Sequence, residues 1–206
     1  MKKILVLMLA LVCVFTMFAC GDEPVTPTPD GGDDGNTVTL NIDDFTAALS
    51  ASTPKTAAIK VDMTNVLGTL SAAYNVVYAE DGSAAINYTR EEFNEIGEGT
   101  TEVKSTLTGT VAMSKDGVLS DTAALGGTGS LVNAKISLSL DKITATRDGN
   151  VLTATVSAAN TASVLGVAID ADVTLILYIA DGTVSSFSLN YAIGANVYAV
   201  SCGYTY

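Results

Sequence analysis

Histidine and tryptophan are missing altogether from this 206-residue chain. Without histidine there is no ordinary general base near neutral pH, and the commonest nitrogen ligand for zinc is gone. A serine or cysteine nucleophile would need another activator. Paired carboxylates remain a route to glycoside hydrolysis. The clusters Glu91, Glu92, Glu95, Glu98 and Asp170, Asp172 are the candidates. Carbohydrate sites lean on exposed aromatics to stack sugar rings, so without tryptophan both clusters read as solvated surface. Asp30, Asp33 and Asp34 lack the alternating spacing and closing glutamate of an EF-hand loop. No enzyme activity, metal or cofactor is expected. Basic charge is also scarce, with 10 Lys and Arg against 22 Asp and Glu. That balance repels nucleic acid and anionic headgroups, so neither is expected as an electrostatic partner. Finally, no apolar run is long enough to cross a bilayer. Ile4 to Phe18 holds fifteen mostly aliphatic residues, short of the ~20 a spanning helix requires.

What is present begins with that short run. Lys2 and Lys3 precede it, Ala19 and Cys20 close it, and Gly21, Asp22 and Glu23 follow. Basic, apolar, then small is the order of a secretory signal. A cysteine at the end resembles the lipobox of bacterial lipoproteins, although Met17 and Phe18 stand where that pattern more often has leucine and a small residue. The resemblance implies that Cys20 is thioether-linked to diacylglycerol and becomes the mature N-terminus. Two or three acyl chains make a durable anchor where one holds only marginally. The expected location is extracytoplasmic, on the cell membrane or outer membrane. Cys13, inside the apolar run with no small residue before it, reads as a plain apolar position.

Residues 1–19 are thus the signal and 20–37 the lipidated cysteine with its tether. Gly21 to Thr37 contains Pro24, Pro27, Pro29 and several glycines but only Val25 as a sizeable apolar residue. It cannot bury enough surface to offset its ordering entropy. Lys2 and Lys3 leave with the signal, so eight basic residues face twenty-two acidic ones, a formal charge of −14. Residues 38–206 suffice for one domain with a real core, expected to be monomeric. With Cys20 lipidated, Cys202 has no disulfide partner, and its place between Val200 and Tyr204 reads as a core thiol.

The first ordered element is predicted to be a helix over 42–51. Asn41 is placed as its cap, Asp44 as the acidic partner three residues on, and Ile42, Phe45 and Leu49 as its stripe before Pro54 ends it. From Thr56 the apolar period becomes two. Val103, Leu107, Val111 and Met113 share one parity, as do Val132, Ala134, Ile136, Leu138 and Leu140, and Phe187, Leu189, Tyr191 and Ile193. Each set predicts an antiparallel strand with one wet face. Asp81-Gly82, Asp116-Gly117, Asp148-Gly149 and Asp181-Gly182 are predicted hairpin turns. Two stretches interrupt the alternation. Arg90 to Glu98 is predicted to be a helical turn or loop pinned by Phe93 and Ile96, and Asn160 to Gly166 a small-residue break. After the break, Val173 to Ile179 is apolar on both faces, with Ile176 and Tyr178 opposite Leu175, Leu177 and Ile179, and so is predicted to be central and covered twice. The fold class is all-β with one short N-terminal helix, an antiparallel meander forming a curved half-barrel, or alternatively a β-sandwich.

A lipobox, an acidic tether, a short amphipathic helix and long one-sided strands together resemble the Lol-type and mycobacterial-type lipoprotein carriers. Ile86 to Ile96 further resembles an element of uncharacterised lipoproteins of gut bacteria. The resemblance implies a sheet wrapped around the helix with an apolar space for a lipid or acyl ligand. The inward alanines Ala57, Ala72, Ala84 and Ala134 would leave that room. Phe45, Leu49, Val61, Met63, Tyr74, Val76, Leu107, Val111, Ile136, Leu138, Leu175 and Leu177 would line it. In the alternative the same residues form a closed core. A β-sandwich binding module and a purely structural surface protein are the competing functions.

Overall fold

A computed structural model describes residues 42–95 and 102–206. The readings for Cys20, the tether, Asn41, and Ile96 to Glu98 fall outside them. Nine strands form one open antiparallel sheet, a meander curved into a half-barrel. They are β1 (Thr56–Asn65), β2 (Gly68–Tyr78), β3 (Ala84–Glu95), β4 (Glu102–Met113), β5 (Ile143–Asp148), β6 (Val151–Val156), β7 (Val173–Ala180), β8 (Thr183–Ile193) and β9 (Asn196–Thr205). Their order across the sheet is β4-β3-β2-β1-β9-β8-β7-β6-β5. Two meanders, β1 to β4 and β5 to β9, are therefore joined only where β9 pairs with β1, from Thr56↔Thr205 to Thr64↔Val197.

The alternation decides which face is dry. Ala57, Ile59, Val61, Tyr74, Val76, Ile86 and Val111 in the first meander are buried on the same side as Leu152, Val156, Leu175, Leu177, Leu189 and Cys202 in the second. Burying each large side chain stabilises the fold by about 1.5–3 kcal/mol. The opposite face is rich in threonine, serine, asparagine and alanine and also carries Lys60, Asp62, Glu91, Lys104 and Tyr178. A bulge between β7 and β8 falls at Tyr178/Ile179. There Val184 and Phe187 are both buried with two residues between them, so the extra residue returns β8 to register.

Three segments cover the dry face. Helix α1 (Asp43–Ser50) buries Phe45 and Ala48 and packs on β8. Its start at Ile42 has no side-chain cap. Asp44 instead accepts from Arg147 Nη2 at 2.7 Å, and the same guanidinium lies 5.3 Å from the Phe45 ring centroid. The second segment leads from β4 at one edge of the sheet to β5 at the other. It contains α2 (Thr122–Leu125), a 3-10 helix (Gly129–Asn133) and then an extended stretch. The third precedes β7 and contains a 3-10 helix (Ala158–Asn160) and α3 (Thr161–Leu165). Thr161, buried, ties this segment together by accepting from Ile169 N at 3.0 Å and donating to Ala158 O or Ile169 O.

Three sequence expectations change. Val132 to Leu140 is not a strand of the sheet. Ala134, Ile136 and Leu138 do pack on the core, but the backbone is a strap that bonds α3, through Lys135 N to Leu165 O at 2.8 Å and Ser137 N to Val164 O at 2.7 Å. Any extended chain puts alternate side chains on opposite sides, so period two appears without a ladder. Arg90 to Glu95 continues β3 instead of turning. Cross-strand partners hold Glu91, which accepts from Ser71 N at 2.8 Å and pairs with Lys104 at 2.7 Å, while Arg90 pairs with Glu92 on the same strand at 2.7 Å. Strand β7 lies third from the β5 edge, and Tyr178 on its outer face is exposed, so that face is not covered.

Of the Asp-Gly pairs, Asp81-Gly82, Asp148-Gly149 and Asp181-Gly182 join adjacent strands. In the last, both residues have positive φ, 53° and 73°, the backbone a tight two-residue turn requires. Asp116-Gly117 closes a smaller turn that ends in a single bridge, Met113↔Leu119, before the chain crosses the sheet.

Candidate functional site

The sheet has two ends of different chemistry, with a shallow trough along its outer face between them. All four Asp-Gly turns lie at the end where β2, β4, β5 and β7 finish. Beside them, between the C-terminus of α1 and the strap, is a groove of about 380 Å³ whose walls include Leu49, Pro54, Tyr78, Ile136, Val184 and Tyr204. Burial, and then the neighbouring Cys202, pushes the Tyr204 hydroxyl far above its ordinary range. Cys202 is itself pushed up to about 11, chiefly by burial.

At the other end, two clefts of about 190 and 120 Å³ share Gly127, Thr128 and Tyr198. Tyr198 stacks on Tyr191 across the β8–β9 hairpin, with centroids 4.7 Å apart and planes 11° apart. Burial first, and Tyr198 second, pushes Tyr191 up to about 12. The loop roofing these clefts is pinned from below. Tyr74, buried, donates its hydroxyl to Leu125 O at 2.8 Å with Thr128 Oγ1 at 2.7 Å, and Arg90 Nε donates to Ala124 O at 2.8 Å.

The trough, about 700 Å³, crosses the outer face from β9 to β4. Its floor is Ala58 and Ala73, and Lys60, Ser71, Asn75, Asn87, Glu91 and Thr106 add polar groups. Lys60 Nζ donates to Asp62 at 2.7 Å and Ser71 Oγ to the other Asp62 oxygen at 2.6 Å, which lowers the Asp62 carboxyl. Glu91 is lowered by Lys104 first and the Ser71 amide second. These groups can donate and accept hydrogen bonds. The shifted carboxylates go down while the shifted tyrosines and Cys202 go up, each away from neutrality.

Among the residues expected to line one pocket, Phe45, Val61, Tyr74, Val76, Val111, Leu175 and Leu177 lie in the packed core, each no more than 2% exposed. Leu138 packs against that core and Leu107 is half-buried on β4. Leu49 and Ile136 meet in the 380 Å³ groove, and Val61 and Met63 border the 190 Å³ cleft. The twelve are not brought together around one cavity. Ala57, Ala72 and Ala84 do face inward and are buried, and Ala134 packs on the same core. Glu91 and Glu92 have the partners given above, and Asp170 and Asp172 precede β7 instead of projecting from it, with Asp172 accepting from Ala158 N at 2.9 Å. Among the described residues no three His, Cys, Asp or Glu side chains are placed to hold a metal ion, and no helix is long and apolar enough to cross a membrane.

Sequence patterning missed Tyr191 and Tyr198 as a pair, since stacking across a hairpin needs the register as well as the parity. It also missed the Lys60–Asp62–Ser71 network.

No family model and no curated protein matches this chain. Two solved chains do, one of them the dehydratase domain from the CurF module of curacin polyketide synthase. It shares 10% identity over 79% of each chain with a TM-score of 0.21, a superposition too poor to carry an argument about fold or activity.

Proposed function

We propose that this chain is a lipoprotein held to a membrane through Cys20, carrying an extracytoplasmic β module that works by binding and not by catalysis. The observation that carries the anchor is the order of residues 2–23: two lysines, an apolar run too short to span, Ala19-Cys20, then acidic residues. The absence of histidine, and thiol and phenol groups pushed away from neutrality, support binding over chemistry. The burial of seven of the twelve expected pocket residues supports a dry core with its contacts on the surface. Labelled palmitate should enter the wild-type chain and not Cys20→Ala; equal labelling of both sinks the anchor.

One observation favours a second reading, carriage of an acyl chain. Leu49 and Ile136 share an aromatic-walled groove whose 380 Å³ lies within the ~300–1,000 Å³ of small-molecule sites. Ala134→Phe, in the wall of that groove, would then abolish binding of a fluorescent fatty acid, and a parent protein that binds none rules the reading out.

A further inference from the structure

The β1–β2 and β8–β9 hairpins lie side by side, because β1 pairs with β9. Asn65 Nδ2 at the tip of one donates to Asn196 Oδ1 at the tip of the other, at 3.2 Å. Of the eight large hydrophobic residues exposed among the described ones, four sit on these two tips: Val66 (91%), Leu67 (58%), Val197 (50%) and Ile193 (39%). The fold does not explain the first two. Val66 and Leu67 fill the two turn positions between the paired residues Asn65 and Gly68, where Gly68 carries the positive φ of 135° and short polar residues would serve the turn as well. At the opposite end the β7–β8 hairpin fills those two positions with Asp181-Gly182 and the β5–β6 hairpin with Gly149-Asn150. An adjacent aliphatic pair left in solvent at a turn that does not call for it marks a surface kept for contact.

The charge pattern says what the contact is made with. No charged residue occurs from Met63 to Ala79 or from Gly182 to Tyr206, in a chain with 22 acidic residues. Behind the aliphatic tips stand Tyr191 and Tyr198, the residue type that sits where hydrocarbon meets headgroups. We propose that the two tips together form a lipid-contact surface that enters the interfacial region of an uncharged or zwitterionic bilayer. Anionic lipid is disfavoured, because Asp170 is exposed near Ile193. The surface does not depend on Cys20 being acylated. It is compatible with that anchor, since the residues from Cys20 to Ile42 span up to ~70 Å at ~3.3 Å each, about twice the length of a ten-residue strand.

The chain has no tryptophan, so one introduced residue is a single emitter. Leu67→Trp and Val118→Trp place it at the neutral tips and at an exposed apolar position beside Asp116-Gly117. Both sites are turns that bury no core, and both variants keep the native N-terminus. The full chains are reconstituted with phosphatidylcholine vesicles brominated near the headgroup. Emission from Leu67→Trp should be blue-shifted and quenched several-fold more strongly than from Val118→Trp, and less strongly when phosphatidylglycerol replaces phosphatidylcholine. Equal quenching of the two variants overturns the proposal. So does water-like, unquenched emission from Leu67→Trp, the outcome if the tips instead receive a protein. Failure of Cys20 acylation would affect both variants alike and leave their difference intact.

Discussion

One end of the half-barrel turns its chain with Asp-Gly, and the other, at the two central hairpins, with Val66-Leu67 and Gly194-Ala195. The acidic turns are local solutions: the carboxylate and the glycine satisfy the backbone there, as where Asp81 Oδ1 accepts from both Ser83 N and Ser83 Oγ. The neutral tips are satisfied locally as well, Asn65 Oδ1 accepting from Leu67 N at 2.9 Å and Gly68 and Gly194 taking the positive φ. The two ends differ in what they leave in solvent, carboxylates at one and aliphatic side chains at the other.

The strongest way to break the comparison acts at the acidic end, where Gly166 lets the strap lie close. Its φ is 73°, and a Cβ there would stand 3.0–3.3 Å from the backbone N and O and the Cβ of Lys135. Gly166→Ala combines a left-handed alanine with overpacking against backbone, and should cost about 2–4 kcal/mol in chemical denaturation. A loss below ~0.5 kcal/mol, the level of ordinary surface substitutions, would mean that the strap moves freely.

Alkaline pH should act next, and on both ends in turn. Cys202 and Tyr191 have raised native values, about 11 and about 12, against ordinary values of 9 and 10. A raised group contributes stability that is complete below its unfolded value and is lost as pH rises through its folded one. Thermal stability should therefore fall from pH 9 to 11 through Cys202 at the acidic end, and from 10 to 12 through Tyr191 at the neutral end. Cys202→Ala should flatten the first window and Tyr191→Phe the second. Unchanged slopes in both would detach these groups from the alkaline transition.

The smallest effect sharpens the comparison most, because contact should be lost while stability hardly moves. Val66→Ser with Leu67→Asn should leave stability within ~0.5 kcal/mol, since both are exposed turn positions without positive φ. The same change should remove lipid contact. A loss of stability would show that the aliphatic pair serves the fold.

Much of this layout was legible from local chemistry. Period two along Val103 to Met113 and Phe187 to Ile193 gave true strands, and Asp-Gly gave three true hairpins, because both signals depend only on neighbouring residues. The strap at Ala134 to Leu138 carried the same signal without a ladder, since alternation reports an extended backbone and not its hydrogen-bond partners. Arg90 to Glu95 hid its strand because its charges are balanced by Ser71 and Lys104 on other strands. Seven of the twelve residues expected around a pocket lie in the core for a similar reason. The strap and α3 fill the face that one short helix could not, and neither read as a cover. Helix α1 was found within a residue at each end, yet the partner of Asp44 proved to be Arg147, 103 residues away.

The β1–β9 seam also sets an order of events. Neither meander has a complete set of neighbours alone, and the strand that joins them is the last of the nine in chain order. β1 must keep one edge open until nearly 150 residues after its own start have followed, from Thr56 to Thr205. Pairing over such a separation is slow, and an edge left waiting invites the wrong partner. The sheet is therefore most exposed to misassembly while β9 is still missing, and a variant lacking β9 would leave two separate sheets where there had been one.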